Sequence, residues 1–276
     1  MRSCILLFLA AAALPAFAAD TSPEGLRKFV RESLVNFEKT DQNMRGYEFL
    51  MRDDSREFDS HGTAKTHSVV MRRGYLEGFP VNHILSRNGN PLTEAEYQQH
   101  EEDLKKSVAA RKGESPEQRA KATAERRKRN AEQESWFKEA PEALDYRLES
   151  QQTVEGRSIL VVAFSPHPGY HAHNLWARVL EKMSGKIWLD AEEAEILRAD
   201  AALSGDVTIG WGLVGRINQG TRFELERTRA APRVWLTQKQ VSSYSARILF
   251  KTIRGESTLA FSEFAPRKDQ PATASR

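Results

Sequence analysis

The sequence predicts an α+β protein in which a curved antiparallel sheet lies against an N-terminal helix. Three observations lead to this fold class. An amphipathic pattern opens the chain after residue 20, strand patterns begin at Tyr47 and again at Leu144, and a highly charged helical stretch over 93–137 separates the two sets of strands. Strands that follow one another closely, without long helices between them, are typical of an antiparallel meander.

The first residues have the features of a secretory signal peptide. Arg2 precedes an apolar run over 5–14, and an Ala-Phe-Ala motif at 16–18 provides the small-residue cleavage signal. This run is too short to span a bilayer. We therefore expect residues 1–18 to be removed, leaving a periplasmic chain that starts at Ala19 and does not span the membrane.

Composition excludes several classes of protein. The 276 residues carry 41 Lys and Arg against 38 Asp and Glu, a net charge of +3, which is not the balance of a nucleic-acid binder. The single cysteine, Cys4, lies inside the expected signal peptide. The mature chain would therefore have no disulfide, thiol nucleophile or thiolate metal site, and it must fold through the burial of apolar surface.

The expected N-terminal helix has a clear start and one apolar face. Pro23 and Glu24 suit a first helical turn. Apolar residues then recur at spacings of three and four, namely at Leu26, Phe29, Val30, Leu34 and Phe37. In a later strand pattern, Phe223 and Leu225 alternate with charged residues. We expect both to lie on the concave side of the sheet and to face this helix.

The stretch over 93–137 predicts a charged helical hairpin inserted into the β domain. Thr93 with Glu96 and Ser115 with Gln118 form two capping boxes. Acidic and basic residues are equal in number there, and large apolar side chains are few. We expect the hairpin to lie on or project from the surface of a single domain over 19–266, followed by a disordered tail over 267–276.

One glycine motif could suggest a dinucleotide site. Residues 210–215 read Gly-Trp-Gly-Leu-Val-Gly, which matches G-x-G-x-x-G. That site needs a helix after the third glycine and an acidic residue about 20 positions later. Here a strand pattern follows, and the region around Trp235 has no acidic residue. The motif instead indicates a bent or bulged strand.

Other candidate catalytic groups are weak. His167, His171 and His173 lie close enough in sequence to share a metal ion. They follow a strand end in a loop without a carboxylate, which favours exposed loop histidines, and whether they bind metal stays open. The adjacent acids Asp53-Asp54 and Glu192-Glu193 are typical of solvated positions. The sequence therefore predicts no enzyme, no metal site and no cofactor.

Two segments carry a resemblance to a known group of proteins. Residues 185–190 read Gly-Lys-Ile-Trp-Leu-Asp and are followed by Ile-Leu-Arg at 196–198. Residues 146–166 give the strand pair before them, with Gly156 in its turn and Val-Val-Ala-Phe at 161–164 before the proline. In these features the chain resembles outer-membrane lipoprotein-sorting proteins and their LolA-like and RseB-like relatives, over residues 24–91 and 140–265. The closest likeness is to uncharacterised secreted proteins of the Acidobacteria.

The resemblance implies a fold and a function. The fold is an unclosed antiparallel β-barrel that wraps around helices and has an apolar concave face. The function is non-catalytic periplasmic binding of a lipid or an acylated protein, with Trp211 and Phe223 as candidate ligand-binding residues. Two alternatives stay open: a sensor or scaffold that binds a protein partner through the hairpin over 93–137, and a metal-dependent hydrolase that uses the histidine loop.

Overall fold

The structure, a computed structural model, describes residues 20–59, 61–76, 79–209, 215–249 and 251–267. The expected signal peptide and all but the first residue of the expected tail lie outside these residues. The helices are α1 Pro23–Glu38, α2 Thr40–Arg45, α3 Glu94–Gly113, α4 Pro116–Ala143 and α5 Leu175–Leu180. The first strands are β1 Tyr47–Phe58, β2 Ala64–Leu76, β3 Phe79–Arg87, β4 Asn90–Pro91, β5 Leu144–Val154 and β6 Arg157–Pro166. The later strands are β7 Met183–Asp190, β8 Glu195–Leu203, β9 Val207–Ile209, β10 Gly215–Ile217, β11 Arg222–Ala231, β12 Val234–Ile248 and β13 Lys251–Pro266.

The described strands form one 13-stranded antiparallel sheet that is not closed into a barrel. Its order is β4-β3-β2-β1-β13-β12-β11-β8-β7-β6-β5, and the β9–β10 hairpin attaches to the end of β12. The two edges, β3 with β4 and β5, are joined in the chain by α3 and α4. The expected unclosed antiparallel α+β fold is therefore confirmed.

Helix α1 forms where its apolar periodicity predicts it. The Ser22 hydroxyl accepts a hydrogen bond from the Gly25 backbone N–H (3.1 Å) and caps the helix, and Pro23 occupies the first turn. Leu26, Val30 and Leu34 are buried in one core cluster with residues of β5 to β8 and β11. We call the face of the sheet that packs on α1 the inner face.

The charged insertion differs from the expected hairpin in two ways. Both predicted capping boxes are present, and residues 116–125 of α4 are exposed. However, α4 continues past the expected end at residue 137 to Ala143, and its last turns pack on α1, α5 and β5. Helix α3 packs on β3, with Val108 buried. Among the described side chains of this last part of α4, Ala140, Pro141 and Ala143 are buried, and such residues give little apolar signal in a sequence.

Helices cover the inner face unevenly. Helices α1, α4 and α5 lie over the part of the sheet formed by β5, β6, β7, β8 and β11, which we call the covered half. The remaining strands, β12, β13, β1, β2 and β3, form the open half, where most side chains are only half-buried. Among the described helices, none combines the length and the apolar character needed to cross a bilayer.

Candidate functional site

Strand β11 carries the boundary between the two halves and one of the candidate binding residues. Leu225 is 3% exposed and belongs to the core cluster with Leu26 and Val30. Phe223 shares its face by strand alternation but is 40% exposed. The expectation that both residues pack toward α1 therefore holds for Leu225 alone. Phe223 lies beyond the cluster that α1 covers, and its backbone pairs with Ala201 on one side and Ser242 on the other.

Two rows of side chains cross the inner face of the open half, as the strand register shows. The row that begins at Phe223 continues through Ser242, Ser257 and Ser55. The row that begins at Leu225 continues through Gln240, Leu259 and Asp53. Half-buried apolar residues lie on the same face, namely Met51, Val69, Met71, Leu259 and Phe261. Because serine side chains are short, the first row is the lowest part of this floor, and it lies beside the exposed Phe223 ring.

An aromatic side chain lies across the far end of the floor. A Cβ atom placed on Gly255 would lie 2.5 Å from the Tyr244 hydroxyl oxygen and 3.1 Å from the Arg56 carbonyl oxygen. Only glycine lets the Tyr244 ring lie this close to the β13 backbone, and Gly255 is buried as a result. A pocket of about 240 Å³ opens beside this ring and is also lined by Phe58 and Thr221.

The second candidate binding residue, Trp211, lies outside the described residues. The strands on either side of it are described. Ile209 of β9 pairs with Gly215 of β10, and Gly215 pairs with Ile248 of β12. The chain after Gly215 continues as a strand. The sequence-based rejection of a dinucleotide-binding turn, which needs a helix at this point, agrees with that finding.

A larger, shallow pocket of about 480 Å³ lies beside β7, β8 and β11, and Phe223 is among its lining residues. Its β7 residues Lys186 and Trp188 alternate with core residues and therefore point away from α1. The charges around it are paired with one another. Lys186 Nζ lies 2.7 Å from a Glu149 carboxylate oxygen, and the Arg198 guanidinium lies 4.9 Å from the Trp188 ring centre and 2.9 Å from Asp200.

The three histidines of the β6–α5 loop do not converge. His167 Nδ1 lies 2.8 Å from an Asp145 carboxylate oxygen, and His173 Nε2 lies 3.2 Å from a Glu139 carboxylate oxygen. The loop itself has no carboxylate, and these two belong to β5 and α4. His171 is exposed. Within the part of the chain that the structure describes, no three His, Cys, Asp or Glu side chains come together as a metal site.

Glu139 ties the histidine loop to the end of α4. Its carboxylate accepts hydrogen bonds from the Asn174 side-chain amide (2.7 Å) and from the Tyr170 hydroxyl. Burial and the neighbouring Glu139 carboxylate raise the pKa of Tyr170. This hydroxyl therefore stays protonated and donates a hydrogen bond to the carboxylate. These contacts hold the β6–α5 loop against α4, and they engage both oxygens of the Glu139 carboxylate.

A buried ion pair lies where α1, α2 and β11 meet. The Arg227 side chain is 0% exposed and donates to a Glu195 carboxylate oxygen (2.8 Å), to the Ile196 carbonyl oxygen (2.8 Å) and to the Thr40 hydroxyl (2.9 Å). Burial raises the pKa of Glu195 and lowers the pKa of Arg227, since it disfavours both charged forms. The Arg227 guanidinium also lies 5.1 Å from the Phe37 ring centre.

A second ionic cluster holds the β7–β8 turn. Asp190 is fully buried, is paired with Arg157, and accepts from the backbone N–H groups of Glu192 and Glu193. The Glu193 carboxylate accepts from Arg229 (2.5 Å) and from the Trp235 indole N–H (2.7 Å). The sequence interpretation of Glu192-Glu193 as solvated was wrong for Glu193, because its partners lie more than 35 residues away in the chain.

Comparisons with known proteins give structures of similar arrangement but no sequence family. No family model matches the chain, and no curated protein matches it. A lipoprotein-sorting protein domain from Vibrio parahaemolyticus, described as putative and outer-membrane, has a TM-score of 0.30 and 8% identity over 88% of this chain and 95% of that one. A DUF1329 family protein from Desulfovibrio piger has a TM-score of 0.27 and 9% identity over 88% and 95%.

A LolA superfamily protein from Nitrosomonas europaea has a TM-score of 0.26 and 7% identity over 87% of this chain and 94% of that one. The similar structures thus include the group that the sequence resembles. At TM-scores and identities this low, the similarity supports no statement about what this chain binds. The function is therefore inferred from the geometry of the chain itself.

Proposed function

We propose that the protein is a non-catalytic periplasmic binding protein that holds an apolar chain, either a lipid or the acyl group of a protein, on the inner face of the open half. The observation that carries the proposal is the uneven cover of that face. The helices that bury Leu225 leave Phe223 of the same strand 40% exposed, next to a row of small serines and several half-buried apolar side chains. An acyl chain on this floor would bury apolar side chains that are only half-buried in the protein alone.

The charged groups support binding rather than catalysis. The carboxylates of Asp190, Glu193 and Glu195, which are buried or half-buried, are each engaged by an arginine. A general acid or base has to be able to reach a substrate with its proton. Groups that already hold the fold together in this way are poor candidates for that task.

Displacement of a fluorescent fatty acid tests the proposal. Wild-type protein should bind the probe saturably, and Phe223→Ala should weaken binding by about tenfold with little change in the melting temperature, because the ring is already half exposed. Val154→Ala is the matched control, since Val154 is 50% exposed on β5 at the edge of the covered half. Trp211→Ala tests the second candidate residue in the same assay. Absence of saturable binding by the wild type would overturn the proposal.

The location is tested separately. Protein recovered from the periplasm should begin at Ala19, as the cleavage signal predicts. Recovery of a chain that still begins at Met1 in the membrane fraction would contradict both the cleavage and the periplasmic assignment.

A second candidate function is a scaffold that binds a protein partner through the insertion. The observation that favours it is the exposure of nearly all of α3 and of residues 116–125 in α4, between anchor points at the two sheet edges. Deletion of residues 97–133 with a short flexible linker separates the candidates. If the inner face is the binding site, the shortened protein should still melt cooperatively and still bind the fatty acid. Loss of a protein partner by the shortened protein, together with no saturable fatty-acid binding by the wild type, would favour the scaffold.

A further inference from the structure

The β12–β13 hairpin ends in exposed apolar residues. Ile248 pairs with Lys251, so the turn between the strands has only two residues, beginning with Leu249. Ile248 is 51% exposed and Leu249 is 59% exposed. Arg247 and Lys251 flank them and are exposed as well. We call these four described residues the hairpin tip.

The turn chemistry shows that folding does not require apolar residues at the hairpin tip. Two other two-residue turns of this sheet, Asn88-Gly89 and Glu155-Gly156, have glycine at their second position, and all four residues have positive φ. Leu249 has a φ of 51°, a left-handed conformation that bulky side chains rarely adopt. Asparagine would suit this position better, so Leu249 is held here against the backbone preference.

The charge around the hairpin tip is entirely positive along the chain. No acidic residue occurs between Glu226 and Glu256, whereas this stretch holds Arg227, Arg229, Arg233, Lys239, Arg247, Lys251 and Arg254. Arg247, Lys251 and Arg254 are exposed. Exposed apolar side chains between cations are the combination that lies at the boundary between the headgroups and acyl chains of an anionic bilayer.

The hairpin tip also lies far from the helix-covered end of its strands. Helix α2 packs on β12, where Trp235, Leu236 and Thr237 near the start of the strand are buried. The 13 residue-to-residue steps from Trp235 to Ile248 extend about 40 Å at the rise of a β-strand. A flat surface could therefore meet the tip without displacing α1 or α2.

We propose that the hairpin tip docks the protein on an anionic phospholipid membrane, with Ile248 and Leu249 in the apolar boundary and Arg247 and Lys251 at the phosphate groups. The proposal is independent of binding on the inner face, which uses other residues. It places the protein at a membrane surface through an exposed hairpin of the sheet.

Vesicle flotation tests the docking. Wild-type protein should float with vesicles of equimolar phosphatidylcholine and phosphatidylglycerol and should stay unbound with phosphatidylcholine alone. Leu249→Asn should weaken binding to the anionic vesicles by about tenfold, since it removes one apolar side chain from the lipid boundary. Because asparagine tolerates positive φ, the same change should leave the melting temperature equal or higher. Lys251→Gln should also weaken binding, and added salt should reduce binding by the wild type.

Val154→Asn is the matched control. Val154 lies next to the Glu155-Gly156 turn with an exposure similar to that of Ile248, so this variant should bind the vesicles like the wild type. Equal flotation of Leu249→Asn and wild type would overturn the proposal. So would a wild-type dimer in gel filtration that Leu249→Asn dissociates, because the tip would then be a contact between two copies. Fatty-acid binding by Leu249→Asn should be unchanged, which separates failure of the docking from failure of the proposed function.

Discussion

The covered and open halves of the sheet are built from similar strands, but the side chains of these strands are buried to different extents. In β6 of the covered half, the inner-face residues Leu160, Val162 and Phe164 are all buried in the cluster with α1. In β13 of the open half, the five residues from Ser257 to Phe261 are all half-buried. Strand pairing is continuous through both halves. The difference therefore comes from the elements above the sheet, and a strand's own pattern does not show whether a helix will cover it.

Removal of Arg227 at the boundary of the two halves should have the largest effect. Arg227→Ala leaves the Glu195 carboxylate, whose side chain is 7% exposed, without its buried cation. We expect a loss of about 3–5 kcal/mol in the free energy of unfolding, measured by urea denaturation. Arg222→Ala on the same strand is the control, and because Arg222 is exposed its effect should stay within about 0.5 kcal/mol.

A double variant identifies the source of that loss. Arg227→Met combined with Glu195→Leu removes both charges together, and it should recover most of the stability. A double variant as unstable as Arg227→Ala would show that the loss comes from the bonds to Thr40 and to the Ile196 carbonyl oxygen, and not from the unpaired carboxylate.

The next effect compares one leucine from each half. Leu160 of β6 is 1% exposed within the core cluster, and Leu160→Ala should lower the free energy of unfolding by about 2–5 kcal/mol. Leu259 of β13 is half-buried, and Leu259→Ala should cost about 1 kcal/mol. Equal losses in urea denaturation would mean that the open half is packed as tightly as the covered half, which would remove the basis for ligand binding there.

The sequence predicted the helices and strands better than it predicted which part of the sheet the helices would cover. Helix α1 was predictable because Leu26, Val30 and Leu34 recur on one face. The end of α4 was not, because alanines at 140 and 143 carry little hydrophobic signal although both are buried. In the candidate site, the alternation of strand residues predicted that Phe223 and Leu225 share a face. Their different exposure was not predictable, because it depends on how much of that face α1 covers. Arg227 occupies a core position of β11 with a charged side chain, so its burial could not be predicted without its partners.

Acid should lower the melting temperature by an intermediate amount, and this effect should arise at the β7–β8 turn. Burial by itself would raise the pKa of Glu193, but hydrogen bonds from Trp235 and Arg229, together with the charge of Arg157, hold it below its ordinary value. A carboxylate with a lowered pKa stabilises the fold above the unfolded value of about 4.3, and this contribution is lost as the pH falls through the folded value. The melting temperature should therefore fall over that range. Glu193→Gln should show a smaller pH dependence, and an equal dependence would place the acid-sensitive group elsewhere.

The smallest expected effect concerns the edge of the open half, where α3 covers β3. Helix α3 places His100 Nε2 3.1 Å from the Ile84 backbone N and 2.9 Å from the Asn82 carbonyl oxygen, while β4 pairs only with Ser86 and Arg87. An unpaired strand edge invites pairing with other chains, so this contact protects it. His100→Ala should lower the free energy of unfolding by only about 1 kcal/mol, because water can replace a half-buried hydrogen bond. The Ile84 amide should nevertheless exchange its hydrogen faster, whereas the exposed neighbour Gln99→Ala should leave that rate unchanged. Unchanged exchange at Ile84 in His100→Ala would show that another group protects this edge, and that the helical insertion is not what keeps the open half from pairing with a second chain.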